Sequence, residues 1–149
     1  NNIREKASQI GKQPTVACIE WIKPLMSAGN WVPELVEIAG GHNLFGKTGQ
    51  HSPWMDWEEL TSNDPDVIVL MPCGFDIQRT REEMSLMESH PTWQGLQAVR
   101  NQQVYLTDGN QYFNRPGPRL VDSAQILAEI LHPHAFKPQH QESGWQQYK

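Results

Sequence analysis

Three sets of side chains in this sequence could do chemistry beyond folding. The first is nucleophilic. Cys73 could attack an electrophile if His42 or His51 served as its base. The second is metal-ligating: His132, His134 and His140 fall close together near the end of the chain. The third is aromatic. Trp21, Trp31, Trp54, Phe75, Tyr112 and Phe113 stand beside or beyond the ends of apolar runs, where rings give wide, stiff apolar area to a large flat ligand.

The first two sets have plain alternatives. Met71-Pro72-Cys73-Gly74 carries no local nucleophile signature, and a cysteine of this kind is commonly a small packing residue. His132 and His134 flank Pro133 in a polar segment, and His42, His51 and His90 are scattered, so each reads as a surface or satisfied imidazole. No G-x-G-x-x-G or P-loop follows a strand, and Gly40-Gly41 closes a helix where a phosphate loop would open one. We therefore assign no catalytic and no metal-binding residue from the sequence. For Trp21 and Trp31, ordinary core packing is the competing reading.

One acid stands apart. Asp56-Trp57-Glu58-Glu59 has the form of a capping box, with Asp at the cap and Glu three residues on. That role accounts for Glu59 and leaves Glu58 facing solvent, free to meet a basic partner.

The elements that must position these residues follow from the pattern. Val67 to Met71 is an unbroken apolar run between Pro65 and Pro72, which fits a strand buried on both faces. Thr15–Trp21 and Val104–Thr107 read as further strands, and Asn43–Phe45 as a brief one. Helices are expected over residues 2–10, from a cap at Asn30 with Pro33 in the first turn, from Asp56 to about Asn63, and from about Gln78 to Glu88 with Met84, Leu86 and Met87 inward. Another short helical piece runs from Pro91 to Ala98, and a closing helix from about Arg119 to Leu131. Strands alternating with helices predict an α/β fold, a single lobe with a four-stranded, mostly parallel sheet flanked by helices. In such a sheet the loops after the strands emerge on one side, which would gather the aromatic residues into a shared rim. Residues 134–149 are polar and show no core pattern, so they read as a disordered tail or a surface arm.

Composition narrows the function classes. At 149 residues the chain suits one domain. Its net charge of -5 argues against nucleic-acid backbones and anionic lipid as partners. No apolar run approaches the roughly 20 residues of a membrane helix. Asn1 to Lys6 lacks the apolar core of a signal peptide and the chain does not begin with Met, so it reads as a mature product or an excised piece. Cys18 and Cys73 could pair or stay reduced.

Several segments resemble the cobalamin-type periplasmic binding proteins. They are Pro14–Trp21 with Pro24-Leu25, Gly29–Glu37 with Ala39-Gly40-Gly41, Asp64–Val69, and Tyr112–Leu120, which reads Y-F-N-R-P-G-P-R-L. The resemblance spans about residues 14–133. It implies the C-terminal lobe of a solute-binding protein of an ABC importer, with residues 1–13 the end of a backbone helix joining two lobes and an N-terminal lobe lying outside this chain. It also implies a non-catalytic role, gripping a cobalamin-like corrinoid in a cleft, and a place in the periplasm or on the outer face of a membrane. Trp54 matches an aromatic ligand contact, and Glu58 the acid that docks to the permease. Trp21, Trp31, Phe75, Tyr112 and Phe113 become cleft candidates by position. The alternatives left open are a siderophore or haem lobe, with Tyr112 or His51 as an axial ligand to haem, a stand-alone interaction module without transport, and a hydrolase using Cys73.

Overall fold

The computed structural model describes residues 2–113 and 120–148. In chain order the elements are α1 (Asn2–Ser8), β1 (Thr15–Trp21), β2 (Met26–Ser27), α2 (Val32–Ile38), β3 (His42–Asn43), α3 (Trp57–Asn63), β4 (Val67–Leu70), α4 (Ile77–Glu88), α5 (Gln97–Arg100), β5 (Val104–Thr107), α6 (Gly109–Tyr112), α7 (Leu120–Leu131) and β6 (Trp145–Gln147). A short 3-10 turn at Trp93–Gly95 precedes α5.

The sheet has six strands in the order β2-β1-β4-β5-β6, with β3 also pairing to β1. Its centre is parallel: β1 runs beside β4 with Val16 opposite Val67, and β4 beside β5 with Ile68 opposite Val104. Both added edges are antiparallel. Period-two alternation sorts the side chains into two cores. Val16, Cys18, Val67, Val69 and Tyr105 face α1, α2 and α7. Ala17, Ile19, Ile68, Leu70, Val104 and Leu106 face α3, α4 and α5. Covering on both sides is why β4 reads as an unbroken apolar run: all four of its residues are buried.

Local chemistry fixes the approach to the central strand. The Asp56 carboxylate accepts from the Glu59 amide at 2.8 Å and the Glu59 carboxylate accepts from the Asp56 amide at 3.2 Å, completing the capping box of α3. Asp64 closes that helix in the left-handed region, with φ at 41°, and its carboxylate accepts from the Gln97 amide. Asp66 then accepts from the backbone and hydroxyl of Thr15 at 2.9 and 3.1 Å, clamping the start of β4 to that of β1. The D-P-D segment is thus a scaffold device.

Four expectations differ from the structure. The first is the sheet, which has six strands where four were expected, because short β2, β3 and β6 add to the central three. Asn30 does not cap α2. It sits at φ 56°, Trp31 takes the cap position without a side-chain hydrogen bond, and the segment between the first strand and that helix carries the short strand β2. Leu86 faces outward at 38% exposure, because the buried side of α4 is set by Ile77, Thr80, Met84 and Met87. The polar tail is ordered over 134–148 and ends in β6, paired to β5 with Trp145 opposite Thr107.

The tail is held by an unusual buried acid. Glu129 of α7 accepts from Trp145 Nε1 at 2.9 Å, Gln125 Nε2 at 3.0 Å and the His140 amide at 3.1 Å. His140 Nδ1 lies 3.3 Å from Glu129 and its Nε2 lies 3.4 Å from Asp122. Burial alone would raise the Glu129 pKa, but these hydrogen bonds together hold it below the ordinary carboxylate value. A carboxyl depressed in the folded state contributes stability above its unfolded pKa, near 4.3, and loses that contribution as pH falls through the folded value. Urea midpoints measured from pH 7 to pH 3 should therefore drop more steeply for the native chain than for Glu129→Gln. Parallel curves would show that this carboxylate contributes nothing to acid sensitivity.

Candidate functional site

The loops leaving the carboxyl ends of the parallel strands meet at one end of the sheet, as the topology demands. After β1 the chain turns at Trp21. After β4 it passes Pro72, Cys73 and Gly74, the last with φ at 79°, to Phe75. After β5, Asp108 caps α6 by accepting from the Gln111 amide at 2.9 Å, which brings Tyr112 and Phe113 across. The Cys73 amide donates to the Glu20 carbonyl at 3.0 Å and the Asn110 amide to the Phe75 carbonyl at 3.1 Å, so the three turns form one surface.

The aromatic residues on that surface do not make one continuous rim. Consecutive residues of a strand point to opposite faces, so Glu20 and Trp21 diverge. Trp21 packs edge-on against Phe75 with centroids 5.4 Å apart, and the two rings join Pro72, Ile22 and Leu86 around an apolar hollow on the α4 side. Arg79 covers the Phe75 ring at 4.6 Å and pairs with Glu83 at 3.0 Å. On the α2 side, Trp31 Nε1 donates to the Phe113 carbonyl at 3.1 Å, and both line a second hollow with Glu20, Gly29, Asn30 and Cys73.

Tyr112 and Phe113 were expected in the cleft wall. Their side chains are 9% and 1% exposed and belong to the core beside α7, where the Ser123 hydroxyl donates to the Tyr112 carbonyl. They underlie the α2-side hollow more than they face it. Trp54 is the reverse, 65% exposed. It bridges antiparallel to Met26, which itself pairs with Trp21, so it extends the same row to the sheet edge. Residues 114–119 of the Y-F-N-R-P-G-P-R-L motif lie outside the described residues.

The floor of the second hollow is a feature that sequence reasoning missed. Glu20 is the last-but-one residue of β1 and only half-buried. The Ser52 hydroxyl donates to its Oε2 at 3.0 Å and accepts from the Gly29 amide at 3.1 Å. Gly29 runs so close to the 50–52 backbone that a Cβ would come within 2.7 to 2.9 Å of it, which requires glycine there. Burial raises the Glu20 pKa, and the Ser52 hydrogen bond partly offsets that. An acid ending a strand beside two tryptophans is the signal that could have located this floor.

The nucleophile and metal candidates fall elsewhere. Cys73 is exposed on this surface, while Cys18 is buried in β1 with its thiol pushed up to about 12 by desolvation; both are free. His51 is exposed in the loop before Ser52, His42 sits 3.9 Å from Glu37, and His90 stacks on Trp57 with centroids 4.0 Å apart. His132 is buried with Nε2 3.1 Å from the Gly40 carbonyl, and His134 is exposed. Among the described residues no cluster of three or more His, Cys, Asp or Glu could hold a metal ion. No helix of the described chain is long and apolar enough to cross a membrane. Glu58 is exposed on the first turn of α3, one step round from the capping Glu59.

Comparison with known proteins gives a consistent set of likenesses. Residues 1–111 match the periplasmic binding protein family. Among curated proteins, the chain is 28% identical over 114 residues to a vitamin B12-binding protein of Vibrio cholerae serotype O1, covering 73% of this chain and 37% of that protein. It is 24% identical over 106 residues to the high-affinity heme uptake system protein IsdE of Staphylococcus aureus, covering 69% and 36%. The chain thus spans well under half the length of these curated relatives. Among solved structures, an ABC transporter substrate-binding protein from Listeria monocytogenes EGD-e superposes with a TM-score of 0.77 at 19% identity, over 89% of this chain and 52% of that one. S. aureus IsdE complexed with heme gives 0.74 at 21%, over 88% and 52%. At such identities the superpositions establish the shared α/β fold.

Proposed function

We propose, from the premise that this chain belongs to the periplasmic binding protein family, that it is the C-terminal ligand-binding lobe of an ABC importer's solute-binding protein. In this reading residues 14–133, together with the returning tail that ends in β6, form the lobe, residues 1–13 end the helix joining it to an N-terminal lobe, and the protein works outside the cytoplasm. Its action is capture and delivery, without catalysis. The ligand is a cobalamin-like corrinoid, as the B12-binding relative suggests.

The observation that carries the reading is the paired hollow at the carboxyl ends of β1, β4 and β5. Trp21, Phe75 and Trp31 are all part-exposed there, and Trp54 extends the surface along the edge. Rings supply broad contact with little entropy to lose on binding, which suits a macrocycle laid across them. The acids Glu20 and Glu83 line the two hollows without catalytic geometry: no imidazole lies near Cys73 among the residues lining either hollow. The test is calorimetric titration of the full-length protein with cyanocobalamin. Saturable binding of one ligand per protein supports the assignment, and absence of binding removes it.

The second reading is a haem lobe, favoured by the likeness to IsdE. It requires an axial ligand to the iron. Tyr112 is buried and His51 is exposed beyond Ser52. Haemin binding with a shifted absorption band, lost in His51→Ala, would establish it over the corrinoid.

A further inference from the structure

We propose that Glu20 is the specificity-determining residue of the cleft, accepting a hydrogen bond from a carboxamide edge of the ligand and rejecting ligands edged by carboxylates. The inference rests on the corrinoid reading above and extends it to the chemistry by which one macrocycle is told from another.

The geometry is that of a prepared acceptor. The hollow between Trp31 and the β4 turn is lined by Glu20, Gly29, Asn30, Trp31, Cys73 and Phe113. Among these described residues Glu20 is the sole carboxylate, and none is cationic. Ser52 donates to Oε2 at 3.0 Å, and the Gly29 amide fixes Ser52 by donating to its hydroxyl at 3.1 Å. One carboxylate oxygen is therefore tied into the wall, while Oε1 has no protein partner among the described residues. An acceptor fixed on one side and open on the other matches an N–H of a neutral amide. A ligand carboxylate placed there would meet like charge at a half-buried site, where such juxtaposition weighs heavily against the wrong partner. The raised pKa of Glu20 agrees with partial removal from water.

The same hollow carries its own reporter. Cys73 is exposed on it, whereas Cys18 is fully enclosed in β1 with a thiol that stays protonated at neutral pH. A ligand seated over Glu20 should shield Cys73 from alkylation by iodoacetamide, and this readout is independent of any affinity measurement.

The experiment uses the full-length protein and two probes, cobinamide, edged by carboxamides, and cobyrinic acid, edged by carboxylates. The native protein should prefer the amide probe by about tenfold or more, and bound amide probe should slow Cys73 alkylation. Glu20→Gln, nearly isosteric and still able to accept from Ser52, should shrink the preference towards unity while leaving the fold intact by circular dichroism. Glu20→Leu should weaken the amide probe itself. An unchanged preference in Glu20→Gln with binding retained overturns the role of Glu20 and leaves the corrinoid reading standing. Binding that leaves Cys73 fully reactive also overturns it, since the ligand then lies elsewhere. Failure of both probes and of cyanocobalamin to bind overturns this inference and the corrinoid reading together.

Discussion

Trp145→Ala should cost about 3–5 kcal/mol of folding stability, as expected when a large buried aromatic side chain is truncated. The ring is 6% exposed and meets Tyr105 edge-on with centroids 5.6 Å apart. Its Nε1 donates at 2.9 Å to Glu129, whose carboxylate is fully enclosed, so truncation also takes a donor from a buried acid. The effect should extend beyond the tail. β6 covers the edge of β5, and the Asp108 amide, at the start of α6, donates to the Gly144 carbonyl at 3.1 Å. Tyr112 of that helix meets His140 edge-on at 5.9 Å. Loosening the tail therefore loosens the support beneath the α2-side hollow. Urea denaturation gives the stability change, and hydrogen exchange at Val104 to Tyr112 reports the spread. Trp145→Phe keeps an aromatic ring, though a smaller one, and loses the N–H, and should cost less than half as much. A native-like urea midpoint for Trp145→Ala would mean that the tail merely rests on the lobe.

How far the sequence led depends on whether each feature is local. The capping box at Asp56 was legible because all its partners fall within four residues. β4 was legible because burial on both faces leaves it no polar position. The tail was not, because its polar composition hides a single Trp whose partner, Glu129, lies 16 residues away on a helix. That acid sits among apolar neighbours on α7, where only the returning strand explains it. Asn30 misled because its residue type favours caps and positive φ alike, and here it adopts the second. The division of the aromatic residues between two hollows follows a rule that was available: Glu20 and Trp21 are adjacent on one strand and face opposite ways, so Trp21 joins Phe75 on the α4 side while Glu20 joins Trp31 and Phe113 on the α2 side. Glu20 itself needed Ser52, brought back from a loop by the close passage of Gly29.

Under the proposed importer reading, with Glu58 taken as the acid that meets the permease, Glu58→Lys should abolish docking while leaving solute binding and folding nearly unchanged. Glu58 is exposed on the first turn of α3 and its side chain makes no hydrogen bond or ion pair with the described residues; Glu59, its neighbour, is committed to the cap. Reversing a charge at a helix N-terminus costs about 0.3–1 kcal/mol of stability through the helix dipole. Against a basic partner the same change replaces attraction by repulsion, and like charges brought together at an interface cost several kcal/mol, on the order of a hundredfold or more in affinity. The two scales separate docking from folding. Affinity for the purified permease should fall steeply, more so at low salt, while the cyanocobalamin titration and the urea midpoint move little. Glu59→Lys makes the complementary control: it should lower stability by about 1 kcal/mol through the lost cap and spare docking. The pair also divides the transport reading from that of a stand-alone interaction module. Loss of permease binding with solute capture intact is what a transport lobe requires, whereas full permease affinity in Glu58→Lys places any docking face away from α3.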